Sequence, residues 1–356
     1  TTHTLVTEES TMSTSTSKPL SSDQATKKIT ATRPSLEAGM WRGLADLLAE
    51  LRRQEETQGV DSRVRGDCIN ALSESYKKGK PVPLKTFEKW VAEDPNNPDA
   101  HLIRGNLLVS AAWNARTAHW AALVTEVQYA IFQNRLNTAE QALQKAIDLD
   151  PTDDLPYSYL LTVGMGLGKP KAELWEIFRK FQQHCKDVHS SAVHRTMLYA
   201  LTPKWGGSLE ELLDFAKTST VNAAAPPPPG HPLWTLMCTA HLYAWEDCKL
   251  SSAAAAPYWK DDAVKRDILQ AYHGYKTVST KRPGSTKVDP KTANACRNRF
   301  AFCLWKVGAF PEAKREMDQI RNAPTEDPWS EESRANWKQV YERAKGEVQQ
   351  NSGRRN

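Results

Sequence analysis

Residues 299–314 read Arg-Phe-Ala-Phe-Cys-Leu-Trp-Lys-Val-Gly-Ala-Phe-Pro-Glu-Ala-Lys, and this stretch indicates how the chain folds. Ala301 is a small residue at a position where two helices can touch, and Gly308 suits a tight turn. Ala313 follows, and Met317 continues an apolar face at helical spacing. The stretch therefore predicts two helices that are joined by a short turn and packed closely together.

A second stretch, residues 136–151, repeats the second half of this pattern. Small and apolar residues stand at matching positions: Ala139, Leu143, Ala146 and Pro151. Both stretches resemble the tetratricopeptide repeat, a helix-turn-helix unit that stacks into an α-solenoid. Other segments keep the helix lengths but lose most signature residues, with predicted pairs at 155–168 and 171–184 and at 190–201 and 208–218. The resemblance implies an all-α, tetratricopeptide-like α-solenoid with degenerate repeats.

Residues 194–216 carry a more specific motif, His-Arg-Thr-Met-Leu-Tyr-Ala-Leu-Thr-Pro-Lys-Trp-Gly-Gly-Ser-Leu-Glu-Glu-Leu-Leu-Asp-Phe-Ala. It is similar to a family of uncharacterised bacterial proteins, common in actinobacteria. These proteins have a His-Arg stretch, then Lys-Trp-x-Gly-Ser-x-Glu-Glu, then Phe-Ala. The resemblance extends from about Ala100 to Asp247, which is less than half of the chain. It implies a helical architecture and no catalytic residue, since the family has no established activity.

Changes in composition divide the chain into segments. Residues 1–33 are about half Ser and Thr with few apolar residues, so they cannot bury enough surface to offset chain entropy. Proline-rich and basic stretches interrupt the helical periodicity further on. The predicted organisation is a disordered tail at 1–33, a helical cap at 34–94, a solenoid at 95–346 with loop breaks near 219–231 and 278–288, and a basic tail at 347–356.

The charge balance argues against several classes of protein. The 356-residue chain has a formal net charge of +5, and the tails at 1–33 and 345–356 account for three of these charges. The remaining charge is too weak for an electrostatic footprint on DNA or RNA, so nucleic acid is an unlikely partner. No run of eighteen apolar residues predicts a membrane span. Six cysteines without a Cys-x-x-Cys pair, and no visible export signal, predict reduced thiols in a cytoplasmic protein.

The Lys-Trp-Gly-Gly-Ser turn has two interpretations. In the first, Ser208 and Glu211 form a capping box at the start of a helix, and Trp205 is an apolar plug between repeats. In the second, Lys204 and the helix N-terminus bind an anion such as a phosphate or a carboxylate. The first explains Ser208 and Glu211 completely and is the favoured one, and His194 stands close enough in sequence to join a pocket in the second.

Three further residues match positions that line the groove of a tetratricopeptide array: Asn298, Trp305 and Lys306. The twelve tryptophans are otherwise spread over nearly every predicted helix, which is typical of packing between successive repeats rather than of a stacking surface for bases.

No catalytic signature is visible in the sequence. There is no His-Glu-x-x-His, no Gly-x-Ser-x-Gly and no phosphate-binding glycine loop, so we expect no metal and no cofactor. The leading hypothesis is a non-catalytic scaffold that binds another protein or a peptide in a concave groove. The alternative is an enzyme or a small-molecule or anion sensor with a polar pocket near His194, Lys204 and Ser208. Whether the protein is an enzyme stays open, with a non-enzyme favoured.

Overall fold

The computed structural model describes residues 19–58, 63–77, 81–116, 125–250, 257–277 and 288–353. In these ranges the chain forms α-helices and short 3-10 turns and no strand, which confirms the all-α prediction for the described part. The first helices are α1 (Ser22–Ala31), α2 (Arg33–Glu37), α3 (Arg42–Gln58), α4 (Arg63–Lys77), α5 (Leu84–Glu93), α6 (Pro98–Arg116), α7 (Glu126–Leu149), α8 (Leu155–Leu167) and α9 (Lys171–His184). The remaining ones are α10 (Ser191–Ala200), α11 (Leu209–Ser219), α12 (Leu236–Leu250), α13 (Asp262–Lys276), α14 (Pro290–Lys306), α15 (Phe310–Ile320), α16 (Glu326–Trp329) and α17 (Trp337–Asn351).

Neighbouring helices pack in sequence order from α6 onward. α6 packs against α7, α8 against α9 and α10, and α14 against α15. Glycines permit the closest approaches: a Cβ on Gly105 would lie 2.6 Å from Cγ of Leu143, and one on Gly164 would lie 2.5 Å from Cδ2 of Leu174. The two glycines therefore let α6 meet α7, and α8 meet α9, at distances that no larger residue allows.

The stretch at 299–314 folds as its pattern predicts. It forms most of α14, a turn and the start of α15. Ala301 and Ala313 are fully buried, and Gly308 has a φ of +69°, a left-handed conformation that glycine adopts at no steric cost. The predicted pairs at 155–168 and 171–184 and at 190–201 and 208–218 correspond to α8, α9, α10 and α11.

The N-terminal segment differs from the prediction. The disorder predicted for 1–33 is wrong for residues 19–33, which include α1, while residues 1–18 lie outside the described part. Ala25 and Ile29, one helical turn apart, are fully buried, and Ser21 caps the helix by accepting a hydrogen bond from the backbone N–H of Gln24. The backbone N–H of Ser22 donates to Oδ1 of Asp289 at 3.1 Å, so α1 also contacts the start of α14.

The C-terminal end also differs from the prediction of a basic tail at 347–356. α17 continues to Asn351, because Val340, Ala344 and Val348 repeat at helical spacing and are buried. The predicted break near 219–231 is present as a non-helical segment between α11 and the 3-10 turn Pro232–Thr235, whereas most of the break near 278–288 lies outside the described residues.

A network of buried ion pairs joins α3 and α4 to the first turn of α6 and to the turn that precedes α8. The guanidinium of Arg65 is buried, and its Nη2 lies 2.7 Å from Oδ1 of Asp153. Arg52 lies 2.8 Å from Asp99 and 2.7 Å from Asp150. Burial opposes the ionisation of Asp153, but Arg65 and Arg52 outweigh it and lower its pKa to about 2. The cap predicted at 34–94 is therefore joined to the rest of the chain by charged side chains.

Asp154, next to this network, is expected to make stability depend on pH. Burial and the neighbouring Asp153 raise the pKa of Asp154 to about 7. Since the unfolded carboxyl has a pKa near 3.9, the folded state binds the extra proton between about pH 4 and pH 7, and stability falls as pH rises through this range. Between pH 5 and pH 8 the wild type should therefore lose on the order of 2 kcal/mol of its free energy of unfolding. We expect this loss to be absent in Asp154→Asn.

Urea unfolding at several pH values measures this effect. Asp148→Asn, which changes an exposed carboxyl at the end of α7, is the control and should leave the pH profile parallel to that of the wild type. An Asp154→Asn profile parallel to the wild type would contradict the raised pKa.

Candidate functional site

A groove of about 790 Å³ lies between α6, α8, α10 and α12, and we call it the main groove. Its walls carry four aromatic side chains and two cations: Trp113, Tyr199, Trp205, Tyr243, Arg195 and Lys204. The other described residues that line it are uncharged, so no acidic side chain of the described part faces this space.

The aromatic side chains form one continuous wall. The ring centroids of Trp113 and Trp205 are 6.2 Å apart in an edge-to-face arrangement, and those of Tyr199 and Tyr243 are 5.7 Å apart. Tyr199 joins the two pairs, since its ring lies 6.1 Å from that of Trp205. The indole N–H groups of Trp113 and Trp205 have no acceptor among the described residues. Such a wall offers apolar area in a fixed orientation.

The Gly-Gly turn places Lys204 and Trp205 at the groove. Gly206 has a φ of +83°, and a Cβ on Gly207 would lie 2.0 Å from the carbonyl oxygen of Leu201, so only glycine fits there. The Lys204 ammonium donates to the Tyr199 hydroxyl at 3.2 Å and lies 5.6 Å from the Trp205 ring centroid. The turn thus holds a cation against the aromatic wall.

Arg195, in the middle of α10, is the most unusual side chain of the site. It forms no hydrogen bond and no ion pair with any residue that the structure describes. Arg299, burial and Arg63 together lower its pKa to about 10, so its guanidinium still carries a full charge at neutral pH. Arg299 itself is bonded to Asp327 and to the hydroxyl of Thr239.

His194 does not face the main groove. Its imidazole is 3% exposed and packs against the rings of Phe178, Phe181 and Phe215. Its Nδ1 lies 2.8 Å from the carbonyl oxygen of Ser190, and burial lowers its pKa to about 4. The ring is therefore neutral at pH 7 and lies in the apolar core.

Ser208 is used in the cap of α11, where its hydroxyl accepts a hydrogen bond from the backbone N–H of Glu211 at 3.1 Å. The Glu211 carboxylate does not complete the capping box but binds the ammonium of Lys171 at 2.6 Å. Of the three residues in the predicted polar pocket, only Lys204 lines the main groove. The structure does not bring His194, Lys204 and Ser208 together in it.

The three predicted groove-lining residues near the C-terminus form contacts within the chain: Asn298, Trp305 and Lys306. Oδ1 of Asn298 accepts from the indole N–H of Trp329 at 2.9 Å. The Trp305 indole donates to Glu347 at 2.8 Å, and the Lys306 ammonium binds a carboxylate that follows α16 at 2.7 Å. The segment from α16 to α17 therefore covers the surface that these residues would offer to a partner.

A second, smaller cavity of about 290 Å³ lies on the other side of Arg195, between α4, α8, α10 and α14. We call it the small cavity. Its polar lining includes Arg63, Arg195, Lys291, Ser158 and Thr292, with Asp67 as the acidic residue among its described lining. Arg195 thus stands between two spaces that accept solvent or a ligand.

Sequence reasoning missed Arg195, Tyr199, Tyr243 and Trp113 as site residues. The sequence does contain a signal for Arg195. Residues 191–199, Ser-Ala-Val-His-Arg-Thr-Met-Leu-Tyr, place an arginine in a predicted helix without any acidic residue. The others carry no local signal, because the groove forms only where α6, α8, α10 and α12 meet.

Comparison of the chain with protein-family models, with curated proteins and with solved structures gives no match in any of the three. The resemblances at 194–216 and 299–314 therefore stay predictions. Within the described ranges, no helix is long and apolar enough to cross a membrane. The same ranges hold no group of three or more His, Cys, Asp or Glu side chains arranged to bind a metal ion.

Proposed function

We propose that the protein is a non-catalytic scaffold, a degenerate tetratricopeptide-like α-solenoid, that binds an acidic segment of another protein in the main groove. The observation that carries the proposal is the pairing of a continuous aromatic wall with two cations, Arg195 and Lys204, and no acidic side chain among the described lining residues. We also propose a cytoplasmic location, since the sequence has no Cys-x-x-Cys pair and five of its six cysteines are buried.

The shape of the groove favours a chain segment as the ligand. The groove crosses α6, α8, α10 and α12. Neighbouring packed helices are typically about 8–10 Å apart, so this surface spans roughly 25–30 Å. An extended peptide covers that distance with about eight residues. A repeat array that presents such a surface is suited to a linear segment of a partner.

The charges of the groove specify the chemistry of that segment. Among the described residues, the contacts of Lys204 are with the aromatic groups of Tyr199 and Trp205, and Arg195 forms no ion pair with a carboxylate. Carboxylates of the partner would pair with these two cations in a partly desolvated place, where charge-assisted hydrogen bonds are strong. The aromatic wall would take apolar or aromatic side chains between the acidic ones. We therefore expect a segment that alternates acidic with aromatic or aliphatic residues.

Peptide selection on the purified full-length chain tests this proposal. A random peptide library should yield sequences enriched in Asp and Glu next to Phe, Tyr, Trp or Leu. For a selected peptide, Lys204→Glu should weaken binding by about tenfold or more, which corresponds to ~1.4 kcal/mol. The matched control is Lys180→Glu, an exposed lysine on α9 outside the groove, which should leave the affinity unchanged.

Two results would contradict the proposal. The first is a selection that yields no peptide whose binding responds to Lys204→Glu. The second is a set of selected peptides without acidic residues, because neutral ligands leave the two cations without a function in recognition.

A further inference from the structure

The small cavity is distinct from the main groove in its elements and its chemistry. α4 and the start of α14 close it, and neither contributes to the main groove. No aromatic wall is present: Tyr159 is the aromatic residue among its described lining, and its hydroxyl donates to the side chain of Asn70 at 3.0 Å. Most of its polar groups are cations and hydroxyls.

Three cations face this space against one carboxylate. Arg63 donates to the Ser191 hydroxyl at 2.8 Å, and the Lys291 ammonium lies 3.4 Å from Asp23, an exposed pair that contributes little. The carboxylate of Asp67 is engaged by the Ser22 hydroxyl at 2.5 Å. Arg195 completes the set and has no hydrogen-bonding or ion-pairing partner among the described residues.

An arginine without a directly paired carboxylate in such a place is costly. Arg299 and Arg63 repel it and desolvation disfavours its charge, and the attraction of Asp327, which is itself bonded to Arg299, offsets this only in part. Its five N–H donors would gain most from an acceptor group that offers several oxygens at once. An anion between Arg63, Arg195 and Lys291 would relieve the repulsion and satisfy these donors.

We propose that the small cavity is a binding site for a phosphate group, either free phosphate or the phosphoryl group of a small organic molecule. Three cations and the Thr292 hydroxyl match the charge and the acceptor number of a phosphate dianion, which a single carboxylate does not. The cavity volume of about 290 Å³ leaves room for a small organic group beyond the phosphate. This proposal does not rest on the proposed function, although Arg195 lines both spaces.

Calorimetric titration of the full-length protein with inorganic phosphate and, separately, with glycerol phosphate tests the site. We expect saturable binding of at least one of them at constant ionic strength. Arg195→Gln and Lys291→Gln should each weaken it by about tenfold or more, and Lys180→Gln should leave it unchanged. Tighter binding of glycerol phosphate would assign the site to an organic phosphate, and tighter binding of inorganic phosphate to the free ion.

Lys291→Gln keeps the test valid if Arg195→Gln does not fold, because the side chain of Lys291 is 59% exposed. The variants also separate this proposal from the peptide groove: Lys291→Gln should weaken phosphate binding but not peptide binding, and Lys204→Glu should do the reverse. The proposal is overturned if neither phosphate binds saturably, or if binding is equally strong in Lys291→Gln and the wild type.

Discussion

Arg65→Met is expected to lower the free energy of unfolding by about 3–5 kcal/mol, because it removes a buried cation that pairs with both Asp153 and Glu55. Arg65 is 2% exposed, binds both carboxylate oxygens of Asp153 and lies 3.1 Å from Glu55. Methionine fills much of the same volume with apolar atoms and leaves little empty space. The loss of stability would therefore come mainly from the missing ion pairs. Asp153 would keep Arg52 at 2.8 Å as its remaining cation, whereas Glu55 would lose its ion-pair partner among the described residues and would have to take up a proton or water.

Urea unfolding followed by circular dichroism measures this loss. The control is Arg53→Met on the neighbouring helix α3, since Arg53 is exposed and its ion-pair partner among the described residues is Glu50, one turn away. Such surface pairs contribute about 0–1 kcal/mol. Asp153→Asn in the Arg65→Met background should recover part of the stability, because it removes a buried charge that has lost one of its two arginine partners. Equal losses for Arg65→Met and Arg53→Met would show that the network does not hold α4 in place.

The sequence predicts the helices from about Asn97 onward well, and the reason is physical. Ala301, Gly308 and Ala313 are local requirements of two helices in close contact, and the structure buries both alanines. The N-terminal segment is different. Ala25 and Ile29 are two apolar residues in a Ser/Thr-rich stretch, and they are buried only because α1 packs against α4. The composition of residues 1–33 does not indicate that a helix more than thirty residues away will pack against them.

The candidate site follows the same division. Lys204 and Trp205 are found from the sequence because a Gly-Gly turn fixes their position locally. Arg195 is notable because it forms no ion pair with a described carboxylate. Whether a carboxylate lies close to it depends on the tertiary fold and not on the local sequence. Asn298 and Trp305 are positions that the predicted repeat pattern assigns to a groove, yet the segment from α16 to α17 of the same chain covers them. A motif indicates a surface but not what occupies it.

The segment from α16 to α17 gives the second large expected effect. Trp329→Ala should lower the free energy of unfolding by about 3–5 kcal/mol. Trp329 is fully buried, with ring centroids 5.4 Å from Phe302 and 5.0 Å from Tyr341. Its removal leaves a large cavity between α14 and α17. It also takes away the indole N–H that donates to Asn298, whose amide oxygen then keeps the backbone N–H of Thr325 as its remaining donor among the described residues.

Thermal and urea unfolding should show this loss, and Trp337→Ala is the matched control. Trp337 begins α17 and is only partly buried, so its truncation should cost less than half as much. Amide hydrogen exchange adds a local readout: Trp329→Ala should speed exchange in α17 and at the end of α14, where the indole of Trp305 donates to Glu347. Exchange unchanged in these helices would contradict the inference that Trp329 fastens the C-terminal segment over the predicted groove positions.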